Sequence, residues 1–219
     1  MDYGAMLSDA FTYAKDAVIG KWKQWFLLIV ATVLLFLPLL GYSLKVLRGE
    51  KPAPEVTGWG TLFVDGIKYL VLSLIYAIPA LIVLFITLGG LVFAIISGNT
   101  AHVLALIGGV ILGLIVFVIV AVITGLFSMI GLIRFARTGS MGEAFNFGAI
   151  LATIGKIGWG SYVLAWVALL IVQVIIGVII GVFYIIPALG ILVELVFIAP
   201  IVLFQARYFC QVYDSAGPA

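Results

Sequence analysis

Apolar positions run through this chain in long blocks, broken by short polar stretches. Four blocks, about 69–97, 102–133, 157–183 and 186–206, are long enough to cross a bilayer. A hydrocarbon core about 30 Å thick takes roughly 20 residues of helix, and lone strands would leave backbone groups unpaired in lipid. The separators are a polar turn at 97–102, a charged stretch from Arg134 to Lys156, and a turn around Pro187. Pro79 with Gly89 and Gly90 predicts a kink in the first block, and Pro200 a bend in the last.

The segment from Trp25 to Leu47 reads two ways. It is long enough to cross once, yet Pro38 and Gly41 sit near its middle. Basic residues fall at 15–23, 45–68, 134–156 and 207, and the turns near 98–101 and 184–190 carry none. Basic loops favour the cytoplasmic side. Four crossings between 69 and 206 satisfy that rule for Lys68, the 134–156 loop and the C-terminus. A single crossing at 25–47 would put Lys15, Lys21 and Lys23 outside, whereas a hairpin returning at Pro38 keeps them inside. The hairpin is the favoured reading, and a plain span the alternative.

A helical period also appears outside the four blocks. Leu7, Ala10, Phe11, Ala14 and Val18 share one face, as do Trp59, Leu62, Phe63, Ile67 and Leu70, and again Phe147, Ile150, Leu151 and Ile154. These stretches predict interfacial helices leading into membrane segments, the alternative being that some extend the spans they precede. Ser140 and Glu143 have the spacing of a capping box. The second and third stretches repeat one pattern: Glu55, Trp59, Gly60, Leu62 and Lys68 match Glu143, Phe147, Gly148, Ile150 and Lys156. Each is preceded by two basic residues three apart, Lys45 and Arg48, then Arg134 and Arg137. A parallel internal repeat is implied, both copies facing one side.

Composition strengthens the membrane assignment. Of 219 residues, 65% are hydrophobic and only 9% charged, against about 25% charged in ordinary soluble domains. Eleven basic and nine acidic residues form no basic stripe, which argues against nucleic acid as a partner. One cysteine, Cys210, excludes an internal disulfide, and one histidine, His102, excludes a His-rich metal site. Asp2, Asp9 and Asp16 in the first eighteen residues are wrong for a cleaved signal peptide. The expected fold is an all-α integral membrane protein: four full transmembrane helices, a re-entrant or broken N-terminal membrane segment, and amphipathic interfacial helices. Residues 1–219 form one polytopic domain in this reading, with an interfacial helix at 5–20, a hairpin or span at 24–48, and helices over 58–97, 102–137, 141–183 and 186–212.

The run GYSLKVLRG, followed by Glu55 and by GWGTLFVDGIK from Gly58 to Lys68, resembles an archaeal multi-pass membrane family known only as a domain of unknown function. The resemblance covers most of the chain and is most specific between Gly41 and Pro79. Arg134 and Arg137, followed by Glu143, Phe145 and Phe147, look like that family's second block. It implies a multi-pass protein of a prokaryotic cell membrane and no activity.

Glu194 is the most informative single residue, because a carboxylate inside a span costs roughly 2.5–3.5 kcal/mol on insertion scales. Gln173 of the preceding span is the expected hydrogen-bond partner. Such a pair reads either as an ion- or proton-coupled site or as interhelical glue. Asp65 and Lys68 read as a headgroup-level pair, and Gly109-x3-Gly113 and Gly177-x3-Gly181 as faces for close helix contact. Trp22, Trp25, Tyr42, Trp59, Tyr69, Trp159, Tyr162 and Tyr208 read as an interfacial aromatic belt, with Trp166 and Tyr76 deeper in the core. No hydrolase, metalloprotease or phosphate-loop motif is present, so neither catalysis nor a cofactor is expected. The leading expectation is a structural or interaction component of the cell membrane, with membrane lipids as partners and a second copy or a membrane complex as further ones. A small-solute or ion transporter using Glu194 and a lipid-handling protein are the alternatives.

Overall fold

The computed structural model describes residues 1–96 and 100–217, apart from the side chains of Ala94 and of residues 100–107. The predicted turn at 97–101 and the side chain of His102 therefore lie outside the described residues. Among the described residues the regular structure is helical: α1 (Tyr3–Val18), α2 (Trp22–Val33), α3 (Leu37–Leu47), α4 (Trp59–Ile96), α5 (Thr100–Thr138), α6 (Phe147–Ile157), α7 (Trp159–Phe183) and α8 (Pro187–Asp214), with a 3-10 turn at Met141–Phe145. Four helices are long and apolar enough to cross a membrane, over Trp59–Phe93, Gly108–Thr138, Trp159–Phe183 and Pro187–Asp214. The chain is an all-helical, multi-pass membrane protein.

Two compact units emerge, one made of residues 1–70 and 130–219, the other of 71–129. Every charged residue lies in the first; the segment 71–129 has none. In the second unit a β-carbon on Gly113 of α5 would collide with the side chain of Thr87 of α4. Gly109, Gly177 and Gly181 meet no atom within 4 Å, so of the two predicted small-residue faces only Gly113 contacts a neighbouring helix. Tyr76 is buried, as expected.

In the first unit α8 is the central element, with α1, α2, α3, α6 and α7 all packed against it. The amphipathic face of α1 buries Ala10, Ala14 and Val18 but leaves Phe11 65% exposed; Tyr13 and Ala17 complete its buried stripe. Asp2 caps this helix, its Oδ1 accepting the Ala5 N–H at 3.0 Å.

Residues 24–48 fold as two short helices. Val33 ends α2; Leu35 and Phe36 turn the chain with φ of 57° and 64°, and Pro38 sits in the first turn of α3, where its missing N–H costs nothing. Lys21, just before α2, and Lys51, just after α3, line the same small cavity. The chain therefore runs out along α2 and back along α3. Gln24 of α2 and Tyr42 of α3 both reach the Pro54 carbonyl, at 3.2 and 2.6 Å. The reversal lies at 34–36, a little ahead of Pro38.

Glycine decides how α3 meets the start of α4. A β-carbon at Gly41 would fall on the Leu62 backbone carbonyl, and one at Gly66 on the Leu37 carbonyl. The two backbones touch because both positions lack side chains.

The two stretches that share the Glu-to-Lys pattern differ in how they continue. In the first copy the amphipathic stretch continues into the span as one helix, α4; in the second, α6 stops at Gly158 before α7 begins. Gly158 adopts φ of 89°, and the matching position of the first copy is Leu70, which disfavours that conformation. Ser140 makes no side-chain cap bond. The predicted capping box is not formed, because Glu143 turns to Arg134 instead.

Replacing Gly41 or Gly66 by alanine is expected to cost about 1–3 kcal/mol or more through forced separation of the two backbones. Gly60→Ala, where a β-carbon meets open space, should leave the melting temperature in detergent unchanged. Equal melting temperatures for all three variants would contradict this packing.

Candidate functional site

The densest polar constellation is a set of arginines in the first unit, built from both copies of the repeat. Arg48 follows α3 and Arg137 closes α5. The Arg48 Nε donates to the Ala136 carbonyl at 3.2 Å, and the Arg137 Nε donates to the Leu47 carbonyl at 3.0 Å. Each arginine thus binds the carbonyl of the residue just before the other. These helix-end carbonyls have no helical N–H to accept from, so the two guanidinium groups close both helix ends reciprocally. Arg48 then reaches Asp65 at 2.8 Å, and Arg137 reaches Asp214 at 2.7 Å and the Cys210 sulfur at 3.2 Å. The Tyr213 ring covers Arg137, 5.3 Å from centroid to guanidinium carbon.

Arg207 extends the cluster toward α1. Its side chain is only 6% exposed and its Nε donates to Asp9 Oδ2 at 2.8 Å. Tyr13 packs against its guanidinium at 5.5 Å and donates its hydroxyl to the Glu50 carbonyl at 3.0 Å. Lys51 binds the other Asp9 oxygen at 3.1 Å. Partial burial pushes the Asp9 carboxyl up, but the bonds from Arg207 and Lys51 outweigh it and hold the group below its ordinary 3.8. Gln211 secures the start of α1 through the Met6 carbonyl at 3.0 Å. The Arg134–Glu143 bond, with Asn146 as a second donor, holds the partly exposed Glu143 carboxyl below its ordinary value.

Proline chemistry supplies another anchor. Pro200 lies inside α8 and has no N–H, which frees the Val196 carbonyl one turn earlier. The Trp25 indole of α2 donates to that carbonyl at 3.0 Å.

The predicted Glu194–Gln173 pair is not formed. Tyr208 donates to the Ala165 carbonyl at 3.0 Å, and from that register the antiparallel helices bring Glu194 level with Ile179, about 9 Å of helix rise from Gln173. Glu194 is exposed and accepts the Tyr184 hydroxyl, a bond that holds the phenol above its ordinary value. Gly190 makes room for the Tyr184 ring, folding it over the start of α8. The Gln173 Nε2 is buried without a hydrogen-bond partner.

The repeat residues disperse. Glu55 and Lys156 are exposed, Trp59 and Lys68 partly so, and Phe147 is 51% exposed; the buried repeat positions are Leu62 and Ile150. Asp65 lies 3.8 Å from Lys68 but binds Arg48 far more closely. Tyr42, Tyr162 and Tyr208 are fully buried rather than part of a belt. Trp22, 71% exposed and stacked on Trp25 at 5.6 Å, fits one, and Trp166 packs against Phe209 in the interior. Among the described residues no three His, Cys, Asp or Glu side chains converge as metal ligands would. Sequence reasoning missed the arginine cluster. Its available signals were Arg207 at the end of an apolar block and the two basic pairs that flank the repeat.

An all-helical arrangement whose arginines bind the chain's own carbonyls and carboxylates defines a class of multi-pass membrane protein rather than a reaction. Residues 25–186, more than half of the chain, match the model of the protein family of unknown function DUF4013, and the chain belongs to that family. No curated protein matches it. No solved structure does either.

Asp9→Asn should destabilise the protein by about 1–3 kcal/mol at pH 7, since Arg207 loses its carboxylate. The depressed carboxyl contributes its stability above pH 3.8, and that contribution fades as pH falls through the lower folded value. Thermal melts in detergent should therefore separate wild type from variant at pH 7 and bring them together only as the pH falls well below 3.8, through the depressed carboxyl value.

Proposed function

We propose that the protein is a non-catalytic structural component of the cell membrane, an anchored bundle whose basic end faces the cytoplasm. The observation that carries this reading is the use of Arg48, Arg137 and Arg207: each is engaged by this chain's own carbonyls and carboxylates. The groups best suited to bind a substrate anion serve to hold helices together.

The lengths of α2 and α3 support a re-entrant hairpin within that bundle. Twelve and eleven residues rise about 18 and 16 Å, too little for a 30 Å hydrocarbon core. With Lys21 and Lys51 at one cavity, the segment enters and leaves from the basic face, as the positive-inside rule favours. On this reading α1 and α6 flank the basic face as amphipathic helices, α1 held to α8 by Asp9 and Arg207.

The buried Gln173 amide, unpartnered in α7, favours a second reading in which a small solute or ion crosses the bundle. Glu194→Gln separates the two. In sealed proteoliposomes the structural reading expects proton and sodium leak rates equal to those of the wild type, with the melting temperature unchanged within about 2 °C. A wild-type flux abolished by Glu194→Gln in a normally folded protein would overturn it.

A further inference from the structure

We propose that the groove between α1, α7 and α8 holds one hydrocarbon chain of an anionic membrane lipid, with its headgroup at Lys15. The groove encloses about 500 Å³, within the roughly 300–1,000 Å³ of ligand sites in general. Its walls are aliphatic and aromatic, including Phe11, Val18, Ile176, Ile180, Phe197 and Phe204. The Trp25 indole N–H on its wall is already engaged by Val196. Lys15 is the only charged residue lining it.

Length and charge identify the occupant. Along α7 the lining runs from Val172 to Phe183, and along α8 from Val193 to Phe204. Each stretch rises about 16 Å, close to half of a 30 Å hydrocarbon core. The groove is therefore one leaflet deep. Met6 lies beside Gln211 and Asp9 beside Arg207, so α1 descends α8 from its charged end. Lys15 follows Asp9 by six residues, about 9 Å of helix, whereas Val193 lies about 21 Å along α8 from Arg207. Lys15 thus belongs to the half of the groove nearer the headgroups. Its side chain is 46% exposed and its ion pair with Asp16, 3.8 Å long and exposed on both sides, is weak, so the ammonium can exchange that carboxylate for a lipid phosphate. A long apolar trough with a single cation near its shallow end fits an anionic lipid better than a zwitterionic one.

The proposal goes beyond the structural role argued above and stands whether or not the bundle conducts. Its test is native mass spectrometry of the full chain, extracted from vesicles containing equal amounts of phosphatidylglycerol and phosphatidylcholine. The wild type should retain one phosphatidylglycerol in preference to phosphatidylcholine. Lys15→Gln should keep a lipid but lose that preference by about tenfold, and Ile176→Trp, which fills the trough, should retain none. Lys15→Gln alters a half-exposed side chain outside the core and keeps the test valid should Ile176→Trp misfold. Retention of no lipid by the wild type, equal retention of both lipids, or an unchanged preference in Lys15→Gln would overturn the proposal.

Discussion

A buried arginine is costly unless its donors find acceptors, and a helix-end carbonyl is costly left unpaired; the first unit meets both demands with three arginines, of which Arg207 is the buried one. A guanidinium cannot lose its proton, so it must be matched by geometry. Arg48 and Arg137 solve the problem together, each taking the carbonyl that the other's helix end leaves unpaired. Arg207, nearly buried, takes Asp9 and thereby binds α1 to α8. Through Leu47, Ala136, Asp65, Asp214 and Asp9 these three side chains connect α1, α3, α4, α5 and α8. Asp9 neutralises a charge taken from water, whereas Asp65 and Asp214 pair with the exposed Arg48 and Arg137 near the surface, where such pairs contribute less.

The reciprocal bonds join the residues that precede the two matching sequence stretches. Arg48 and Arg137 hold corresponding places ahead of the two copies, and each reaches the residue preceding its counterpart. That exchange ties the end of α3 to the end of α5. The stretches that follow them differ. Gly158 permits a break between α6 and α7 that Leu70 does not permit in α4. Gly41 and Gly66 bring α3 and α4 into backbone contact, and no such glycine pair joins α5 to α6.

Much of this was legible in the sequence and some was not, for identifiable reasons. The four long helices follow from the apolar blocks, since lipid leaves the backbone few alternatives. The two basic pairs drew attention to Arg48 and Arg137, which the structure brings together. What stayed hidden were partners that leave no mark in the sequence: arginines bound to main-chain carbonyls, and Trp25 bound to a carbonyl freed by Pro200. Glu194 was visible as an anomaly, but its partner depended on helix register and on Tyr184 folding over Gly190, which counting residues from Pro187 does not give. Tyr42, Tyr162 and Tyr208 were misread as a belt because proximity to a span end does not say which way a ring points.

In the proposed topology the charged residues other than Glu194, confined to one unit and tied together by three arginines, mark a single face to which the α2–α3 hairpin returns. Side-selective labelling tests it most directly. Lys23→Cys, just inside α2, and Lys156→Cys, near the end of α6, are both exposed positions. The wild type, whose sole cysteine, Cys210, is buried, provides the blank. A membrane-impermeant maleimide applied to sealed inside-out and right-side-out vesicles should label both positions from the same, cytoplasmic side. Labelling of position 23 from one side and position 156 from the other would show that the segment crosses the membrane and would contradict the account.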